Sequence, residues 1–476
     1  MALPGTNFDG VYGTTVELVK QKSSALAGAY LAAQAPGLAI DGTIHPNDEM
    51  LFPGGDFAAQ SRDDTLALYY RNGFQMCHAL EQVVEWRFGG FEDVGALLDF
   101  ASGYGRSTRF LVHKLPKERI TVSDILEEAV DFQVSRFGVN GIASATNPAD
   151  FACDRQFDVI FAASLFTHMP RETFGAWLHR LVSLLTPRGV LIFTTHSPET
   201  FEWSTGVPPP DADFSFVPHR YSRFLDANDY GNTYVKEREL RTIAGEHSLL
   251  HLPRGLSNAQ DLNILVRERD CDFSTLTYDY VPDAIIDNAT IAGSKLSING
   301  WAATRSRRCG IERLAIELAG REVAEVTSFT AREDVAAHYR DDGFRNSGWG
   351  CTIELHGRPL LLDDVLLLKV TGQCGFEWVI HAETMVSAAM RAPLARATHD
   401  ALYRAVLVRA QFEEREAALK ARVAALEGEL AERSAEAERL TGTIRWMESS
   451  RFWKLREQWW RFRTTAPRRL RRGAPG

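Results

Sequence analysis

One stretch decides the fold of this chain: Ala96-Leu97-Leu98-Asp99-Phe100-Ala101-Ser102-Gly103-Tyr104-Gly105-Arg106. An apolar run ends there in an acid, a glycine-containing turn follows, and a helical pattern begins after the turn. This order predicts a strand–turn–helix corner at the edge of a parallel sheet, which is where open α/β folds bind ligands. Gly103 and Gly105 have no Cβ, so the backbone of the turn can approach a ligand closely.

Outward from this corner, strands alternate with helices, which predicts a doubly wound parallel sheet with right-handed crossovers. The third strand, near Gly141 to Ala145, has the weakest pattern. The other predicted elements are Val94–Asp99, Gly105–Lys114, Arg119–Asp124, Leu126–Phe137, Phe157–Ala162, Arg171–Leu185 and Val190–Thr195.

The pattern D-x-A-x-G-x-G, from Asp99 to Gly105, resembles motif I of the class I S-adenosylmethionine-dependent methyltransferases, with Ala101 in place of the usual first glycine. Segments 119–124, 157–170, 189–195 and 261–267 resemble the family's second, fourth, fifth and last strands. Dinucleotide-binding folds share the glycine corner, but Thr108 stands where G-x-G-x-x-G has its third glycine. The resemblance implies a Rossmann-like, seven-stranded methyltransferase sheet with an antiparallel last strand and S-adenosylmethionine as cofactor.

The resemblance also implies which residues hold the cofactor. The glycine turn would bind the methionine end, and the acid that closes the second strand would accept hydrogen bonds from the ribose. Thr146 or Asn147, after the third strand, would lie near the adenine. The predicted cofactor-binding residues are Asp99, Ala101, Ser102, Gly103, Gly105, Asp124, Ile125, Asn147 and Ser164.

Two histidines follow predicted strands at the same sheet edge: His168 after the fourth strand and His196 after the fifth. Methyl transfer from a sulfonium is an in-line displacement, and a sugar hydroxyl is a poor nucleophile that a nearby base assists. We predict His168 as this base and His196 as the second candidate. Alternatively, His168 only orders its loop. No metal-binding constellation stands out in the sequence.

A long excursion, His196 to Tyr234, interrupts the α/β pattern and is rich in aromatic residues. Disordered segments are poor in aromatics, so we predict an ordered acceptor-binding loop whose rings stack on sugars; alternatively, the rings only cover the sheet edge. Its aromatic residues are Phe201, Trp203, Phe214, Phe216, Tyr221, Phe224, Tyr230 and Tyr234.

The 476 residues are too many for one ordinary domain. We predict an N-terminal helical lid or extension (1–65), a methyltransferase domain (66–270), a β-sandwich-like domain (271–390), a coiled-coil helix (394–446) and a basic aromatic tail (447–476). The sandwich rests on period-two apolar patterns separated by glycine turns. Parts of it resemble a small β domain found beside bacterial glycosyltransferases and glycan methyltransferases.

The coiled coil rests on two heptad series of apolar residues, which favours a homo-oligomer over a helix packed on its own chain. These series are Phe412, Leu419, Leu426 and Leu440, and Val423, Leu430, Ala437 and Ile444. Arg433 interrupts the first series.

The formal net charge of −9 excludes a generally basic nucleic-acid-binding protein. Residues 451–476 have nine Lys/Arg and one acid, a net of +8, which leaves −17 on residues 1–450. Basic residues interleaved with Trp and Phe suit an anionic membrane face, with nucleic acid as a less favoured partner. The tail resembles the S-x-F-W-K-L-R-x-x-W ending of many bacterial glycosyltransferases, which implies glycosyltransferase partners.

The sequence has six scattered cysteines without a C-x-x-C pair, no signal pattern and no 18-residue apolar run, which predicts a cytosolic protein with reduced thiols. The basic aromatic tail adds the prediction of a peripheral position at the inner membrane face. The predicted function is transfer of a methyl group to a sugar hydroxyl of a bacterial surface polysaccharide or its lipid-linked precursor. The predicted acceptor is a glycan or glycolipid. The alternative acceptor is a protein or a small metabolite. A non-catalytic scaffold of a glycan-assembly complex is the alternative of another class.

Overall fold

The computed structural model describes residues 25–45, 47–50, 62–205, 212–218, 229–292, 294–306, 309–355, 364–384 and 393–465. The prolines at 208–210, the rings of Tyr221 and Phe224, and most of the predicted 1–65 extension lie outside these residues. Residues 1–400 group into one compact unit and residues 401–476 into a second, and each is described by itself.

The first unit contains a seven-stranded sheet in the order β3-β2-β1-β4-β5-β9-β8. Strands β1 to β5 pair in parallel, and β9 runs antiparallel to β5 and β8, as the resemblance implied. The predicted Rossmann-like fold class is confirmed. The strands are β1 (Leu97–Phe100), β2 (Ile120–Asp124), β3 (Asn140–Ala143), β4 (Phe157–Ala162), β5 (Leu185–Thr195), β8 (Ser248–Leu256) and β9 (Gln260–Val266).

Helices cover both faces of this sheet because its strands are apolar on both sides. Leu97 lies in the cluster with α2 and α4, whereas its neighbour Leu98 lies in the cluster with α5 and α7. The helices are α1 (25–34), α2 (Arg62–Phe88), α3 (Thr108–Leu111), α4 (Glu127–Phe137), α5 (Arg171–Ser183), α6 (Pro198–Thr205) and α7 (Glu237–Ala244). Strands β6 (Phe214–Pro218) and β7 (Gly231–Val235) form a separate hairpin.

The helix predicted over Gly105–Lys114 is shorter in the structure. Only α3 is regular, and the chain on either side of it makes tighter three-residue turns, such as Phe110 N–H to Ser107 O at 3.0 Å and His113 N–H to Phe110 O at 3.1 Å. Two of its first residues, Ser107 and Thr108, bond a buried carboxylate, which fixes the start of the segment.

The β region has two sheets that face each other across a shared apolar cluster. One sheet is β10-β11-β14 and the other is β13-β12-β15-β16. Their bounds are β10 (Asp283–Ala292), β11 (Lys295–Ala303), β12 (Ile311–Leu318), β13 (Arg321–Val326), β14 (Gly348–Glu354), β15 (Val365–Gly372) and β16 (Glu377–Thr384), with α8 (Glu333–Tyr339) between β13 and β14.

The β region packs on the first helices of the chain through β16. Val379 N–H donates to Gln34 Oε1 (2.7 Å), and Arg71 Nη1 donates to Ile380 O (2.6 Å). The rings of Phe74 and Trp378 meet edge to face at 5.4 Å. The α/β sheet and the two β sheets therefore belong to one compact unit, which the sequence pattern alone did not indicate.

The prediction that all six cysteines are reduced is wrong, because Cys309 and Cys374 form a disulfide. Strand β12 pairs Ile311 with Gly372 of β15, so the flanking cysteines meet with a Cα–Cα distance of 5.6 Å although 65 residues separate them. Such a pairing across a sheet leaves no local spacing pattern. The cytosolic location predicted from reduced thiols loses this support.

The C-terminal segment is helical as α9 (Pro393–Ser449) and α10 (Arg451–Thr465). The heptad side chains that are described, from Leu419 to Ile444, are largely exposed in the single chain. Within the described residues, none of the helices combines the length and the apolar character that a membrane span requires.

Candidate functional site

Asp99, in β1, is hydrogen-bonded to the residues that follow the glycine turn. Its Oδ2 accepts hydrogen bonds from Ser107 Oγ (2.7 Å) and Thr108 Oγ1 (2.9 Å), and the residue is 2% exposed. Burial raises the pKa of this carboxyl to about 6, although the two hydroxyl donors oppose that shift. Asp99 therefore holds the chain after the turn in place rather than presenting an open carboxylate.

The two glycines of the turn have different roles. Gly105 has φ 77°, and a Cβ there would lie 2.5 Å from a Phe137 ring carbon and 2.8 Å from Gln133 Oε1. Gly103 has φ 55°, and a Cβ there would meet nothing within 4 Å. Gly105 is thus required for packing against α4, whereas Gly103 faces open space beside the backbone of the turn. That open space is the cradle in which a ligand can approach the main chain.

Gln133 of α4 is fully buried beneath the turn and joins its parts. Its Nε2 donates to Ser102 Oγ (2.8 Å) and Gly103 O (2.7 Å), and its Oε1 contacts Thr108 Oγ1 (2.7 Å). The side chain therefore joins Ser102 and Gly103 of the turn to Thr108 of α3, whose single hydroxyl proton is shared between Gln133 Oε1 and Asp99 Oδ2. Ala101, where the family motif has a glycine, has φ 57° and so adopts a conformation that favours glycine.

Asp124, the last residue of β2, lies beside the open side of the turn. Its Oδ2 accepts from Gly103 N–H (2.8 Å) and its Oδ1 from Leu126 N–H (3.0 Å), while Ile125 is half-buried next to it. Burial raises the pKa of this carboxyl, and the backbone donors counteract the shift. An ionised carboxylate has about four acceptor sites, so both oxygens can still accept from a diol.

The segment before α2 lies against the same turn, which the sequence did not reveal. The imidazole of His45 stacks on Tyr104 with a centroid distance of 4.5 Å and an interplanar angle of 5°. Glu128 Oε2 accepts from Asn47 Nδ2 (3.0 Å) and Tyr104 OH (3.1 Å). These contacts cover the turn from the N-terminal side.

Asn147 and Ser164 lie in loops that follow β3 and β4 at the same edge of the sheet. Asn147 Oδ1 accepts from Ala149 N–H (3.1 Å), so its side chain caps a short turn. Ser164 has φ 59°, its N–H donates to Thr194 Oγ1 (2.7 Å), and its hydroxyl contacts Gln260 Nε2 (3.0 Å). Because β1, β2, β3 and β4 run parallel, the loops after β3 and β4 lie at the edge that carries the glycine turn.

Strand β7 connects the loops that carry the two candidate bases. Gly231 N–H donates to His168 O (2.9 Å), and Val235 N–H donates to His196 O (2.9 Å). Tyr230 stacks on the His168 ring at 4.4 Å, and the Tyr234 ring lies 5.8 Å from that of His196. One strand thus positions both histidines after neighbouring strands β4 and β5.

The hydrogen bond of His168 fixes its tautomer. Nδ1 lies 2.6 Å from Gly231 O, and because a carbonyl oxygen only accepts, Nδ1 carries the proton. The lone pair of the neutral ring is therefore on Nε2. Burial lowers the pKa of His168 to about 4, and the hydrogen bond to Gly231 opposes this shift.

His196 differs from His168 in its surroundings. Its Nδ1 is buried and makes no hydrogen bond with the described residues. Burial lowers its pKa to about 3, and the charge of a protonated His168 would lower it further. The structure brings both histidines to the cofactor edge, and only His168 has its ring nitrogens assigned by a hydrogen bond.

Sequence reasoning missed Gln133, Glu128 and the His45–Tyr104 stack. Gln133 is a polar residue on the buried face of an otherwise amphipathic helix, which was a usable signal. The His45 contact joins residues far apart in the chain without any motif, so no local pattern pointed to it. Among the described residues, there is no cluster of three or more His, Cys, Asp or Glu side chains that could hold a metal ion.

Residues 98–191 match a family described as a methyltransferase domain. No curated protein sequence matches the chain. One similar solved structure is a 1,6-didemethyltoxoflavin-N1-methyltransferase of Burkholderia thailandensis, at 18% identity over 41% of this chain and 79% of that chain, with TM-score 0.31. Another is an S-adenosylmethionine-dependent methyltransferase of Clostridium acetobutylicum ATCC 824, at 15% identity over 41% and 92% of the two chains, with TM-score 0.31.

A third is the N-methyltransferase NodS of Bradyrhizobium japonicum WM9, at 15% identity over 41% of this chain and 87% of that chain, with TM-score 0.29. At these TM-scores the likeness adds nothing to the fold described above. The family match covers β1 through most of β5, including the glycine turn and Asp124. The chain therefore carries a methyltransferase domain, and it is an enzyme whose cofactor is S-adenosylmethionine.

Proposed function

We propose that the chain methylates a hydroxyl group of a sugar in a bacterial surface polysaccharide or its lipid-linked precursor. The observation that carries this proposal is the half-buried ring of Tyr230 stacked on the neutral imidazole of His168. An aromatic face can stack on the apolar C–H face of a sugar. A neutral imidazole beside it can accept the hydroxyl proton.

S-adenosylmethionine supplies an electrophilic methyl group on a sulfonium. The open side of Gly103 accommodates its methionine end, and Asp124 accepts hydrogen bonds from its ribose hydroxyls. His168 Nε2 orients the acceptor hydroxyl and takes its proton as the oxygen attacks. The loops after β4 and β5, which β7 joins by backbone hydrogen bonds, hold His168 beside the acceptor.

The first experiment is calorimetric titration of S-adenosylmethionine into the full chain and into Asp124→Ala. Asp131→Ala is the matched control because Asp131 is an exposed carboxylate on α4. We expect the Asp124 variant to bind at least about tenfold more weakly, since it loses the ribose acceptors, and the control to bind like the wild type. Absence of binding by the folded wild-type chain would leave the scaffold role as the better explanation.

The acceptor is tested by release of S-adenosylhomocysteine in the presence of lipid-linked glycans, peptides and small metabolites. We expect turnover with glycans and its loss in His168→Gln with unchanged cofactor affinity. Turnover with a peptide or a metabolite alone would replace the glycan acceptor. Genes for glycosyltransferases beside this one would support the glycan assignment.

The same proposal includes an oligomer formed by α9 and contact of α10 with an anionic membrane face. Large apolar side chains of this segment are exposed, including Trp446 (73%) and Phe452 (80%). Arginines lie over neighbouring indole rings, Arg456 on Trp453 at 4.7 Å and Arg463 on Trp459 at 5.0 Å. Interleaved cations and indoles suit the headgroup region of a bilayer.

This contact is measured by co-sedimentation of the full chain with phosphatidylcholine vesicles that contain or lack phosphatidylglycerol. We expect binding only to the anionic vesicles, with a decrease at high salt and in a Phe452→Ser variant. Equal recovery with both vesicle types would contradict the electrostatic part of the proposal.

A further inference from the structure

Arg305 is a mostly buried arginine with unsatisfied donors, located after β11. Its Nη1 lies 3.4 Å from Asp341 Oδ2, and the guanidinium lies over the rings of Tyr339 (5.7 Å) and Phe344 (5.2 Å). Its Nε and Nη2 are buried and have no hydrogen-bond partner among the described residues. A buried charged donor without an acceptor is costly, so each such group in a native structure calls for a partner.

The two unsatisfied donors form the side edge of the guanidinium. Nε–H and Nη2–H point in parallel from this edge, which matches two oxygens of a phosphate or a carboxylate. Asp341 engages the opposite nitrogen, Nη1, and leaves the side edge for another acceptor. Arg305 therefore has one nitrogen paired with Asp341, while its Nε/Nη2 edge has no acceptor among the described residues.

A second arginine, Arg254, lies in the electrostatic range of Arg305 and of Tyr339. It has φ 53° in the β8–β9 connection, where its N–H donates to Asp261 Oδ1 (2.8 Å). Its guanidinium donates no hydrogen bond to another described residue. Asp341 pairs with Arg305, and Asp261 lies in the electrostatic range of Arg254, so the pair offers unused N–H donors rather than an excess of positive charge.

This arginine pair lies beside the cofactor edge of the α/β sheet. Thr195 at the end of β5 pairs with Asp261, and Gln260 bonds Ser164 in the loop that leads to His168. Tyr278, in the segment before the β region, donates to Gly255 O (2.6 Å) and so attaches that segment to the β8–β9 connection. Asn258 Nδ2 of that connection donates to Val281 O (3.0 Å), and Thr304 Oγ1, next to Arg305, donates to Tyr280 O (3.1 Å), so the Arg305 loop lies against the connection that carries Arg254.

We propose that Arg254 and Arg305 form a binding site for an oxyanion, and that this site holds a phosphate or carboxylate group of the methyl acceptor. The second half of this statement rests on the proposed function. It restricts the acceptor to anionic glycans, such as phosphate-linked or uronic-acid-containing ones. It also gives the β region a part in substrate binding that no motif in the sequence indicated.

The test is calorimetric titration of the full chain with inorganic phosphate and, separately, with acetate at matched ionic strength. We expect one of the two anions to bind, and to bind at least about tenfold more weakly in Arg254→Gln and Arg305→Gln, because each variant loses a charged donor. Arg321→Gln, at an exposed arginine of β13, is the matched control and should bind like the wild type. Which anion binds decides between the phosphate and the carboxylate classes.

Arg305→Gln can destabilise the β region, and in that case the half-buried Arg254 carries the test alone. The inference is overturned if Arg254→Gln still binds the anion like the wild type. It is also overturned if the wild type binds neither anion. Titration of S-adenosylmethionine into the same samples separates the two proposals. Cofactor binding without anion binding refutes the arginine site only, whereas loss of cofactor binding with intact anion binding refutes the enzymatic proposal.

Discussion

Ala101 is the residue at which this chain departs from the motif it resembles. Its φ of 57° lies in the left-handed region, where a Cβ costs about 1 kcal/mol relative to glycine. We predict that Ala101→Gly leaves cofactor affinity unchanged and raises the free energy of unfolding by up to about 1 kcal/mol, partly offset by the larger entropy of the unfolded chain. Urea unfolding and cofactor titration measure the two quantities. A loss of stability would show that the alanine methyl group packs favourably.

Asp99 makes the stability of the domain depend on pH. Burial raises its folded-state pKa from 3.8 to about 6, so the folded state binds the proton more tightly than the unfolded state. Its stabilising contribution is therefore complete below the unfolded value of 3.8 and is lost as the pH rises through about 6. Asparagine at this position can accept the same hydroxyl hydrogen bonds without titrating.

We predict that the wild type gains stability relative to Asp99→Asn as the pH falls from 7 to 4, on the order of 2 kcal/mol. Denaturant unfolding of both proteins at several pH values measures this difference. A stability difference that is constant over this range would mean that the folded-state pKa of Asp99 is not raised above the unfolded value of 3.8.

At the scale of elements, strand β7 determines the orientation of His168. Gly231 has no room for a side chain, because a Cβ would collide with Val217 O and lie 2.9 Å from the Phe216 ring. We predict that Gly231→Ala displaces β7, weakens the His168 Nδ1 hydrogen bond and lowers methyl transfer at least about tenfold, while cofactor affinity is retained. The pKa of His168 should rise from about 4 towards its ordinary value of 6.5 as the ring becomes solvated.

NMR titration measures the pKa of His168. Turnover measures methyl transfer, and cofactor titration measures the affinity for the cofactor. Gly245→Ala is a control for a glycine substitution elsewhere, since a Cβ there meets nothing within 4 Å although its φ of 66° adds local strain. Unchanged turnover in Gly231→Ala, with a shifted His168 pKa, would remove His168 from the reaction.

The strands that flank the glycine turn could be predicted because each is an apolar run closed by a turn or an acid. The turn itself was predictable from Asp99, Gly103 and Gly105. The length of α3 was not, because the sequence pattern does not distinguish a regular helix from three-residue turns such as the one between His113 N–H and Phe110 O. The Cys309–Cys374 disulfide and the Arg305 environment join residues from different strands and loops, and no local pattern reports contacts of that kind.

At the scale of the whole molecule, the chain combines a compact unit with a helical segment that buries little of its apolar surface. Val423, Leu426 and Leu430 are 52%, 47% and 66% exposed in the single chain, although they occupy the heptad series. Exposed leucines at heptad spacing gain stability when a second helix covers them. The compact unit and the helical segment with the heptad series are thus distinct parts of one chain.

We predict that the full chain is an oligomer and that Leu426→Lys shifts it to a monomer, because a lysine charge in the helix seam loses both burial and solvation. Ala435→Lys is the matched control, since Ala435 lies outside both heptad series and is exposed on the same helix. Sedimentation equilibrium at micromolar concentration measures the mass of each protein. Cofactor affinity should be equal in all three, because the cofactor residues lie in the other unit. If the wild type is a monomer, the exposed apolar heptad residues of α9 would instead bind a different protein.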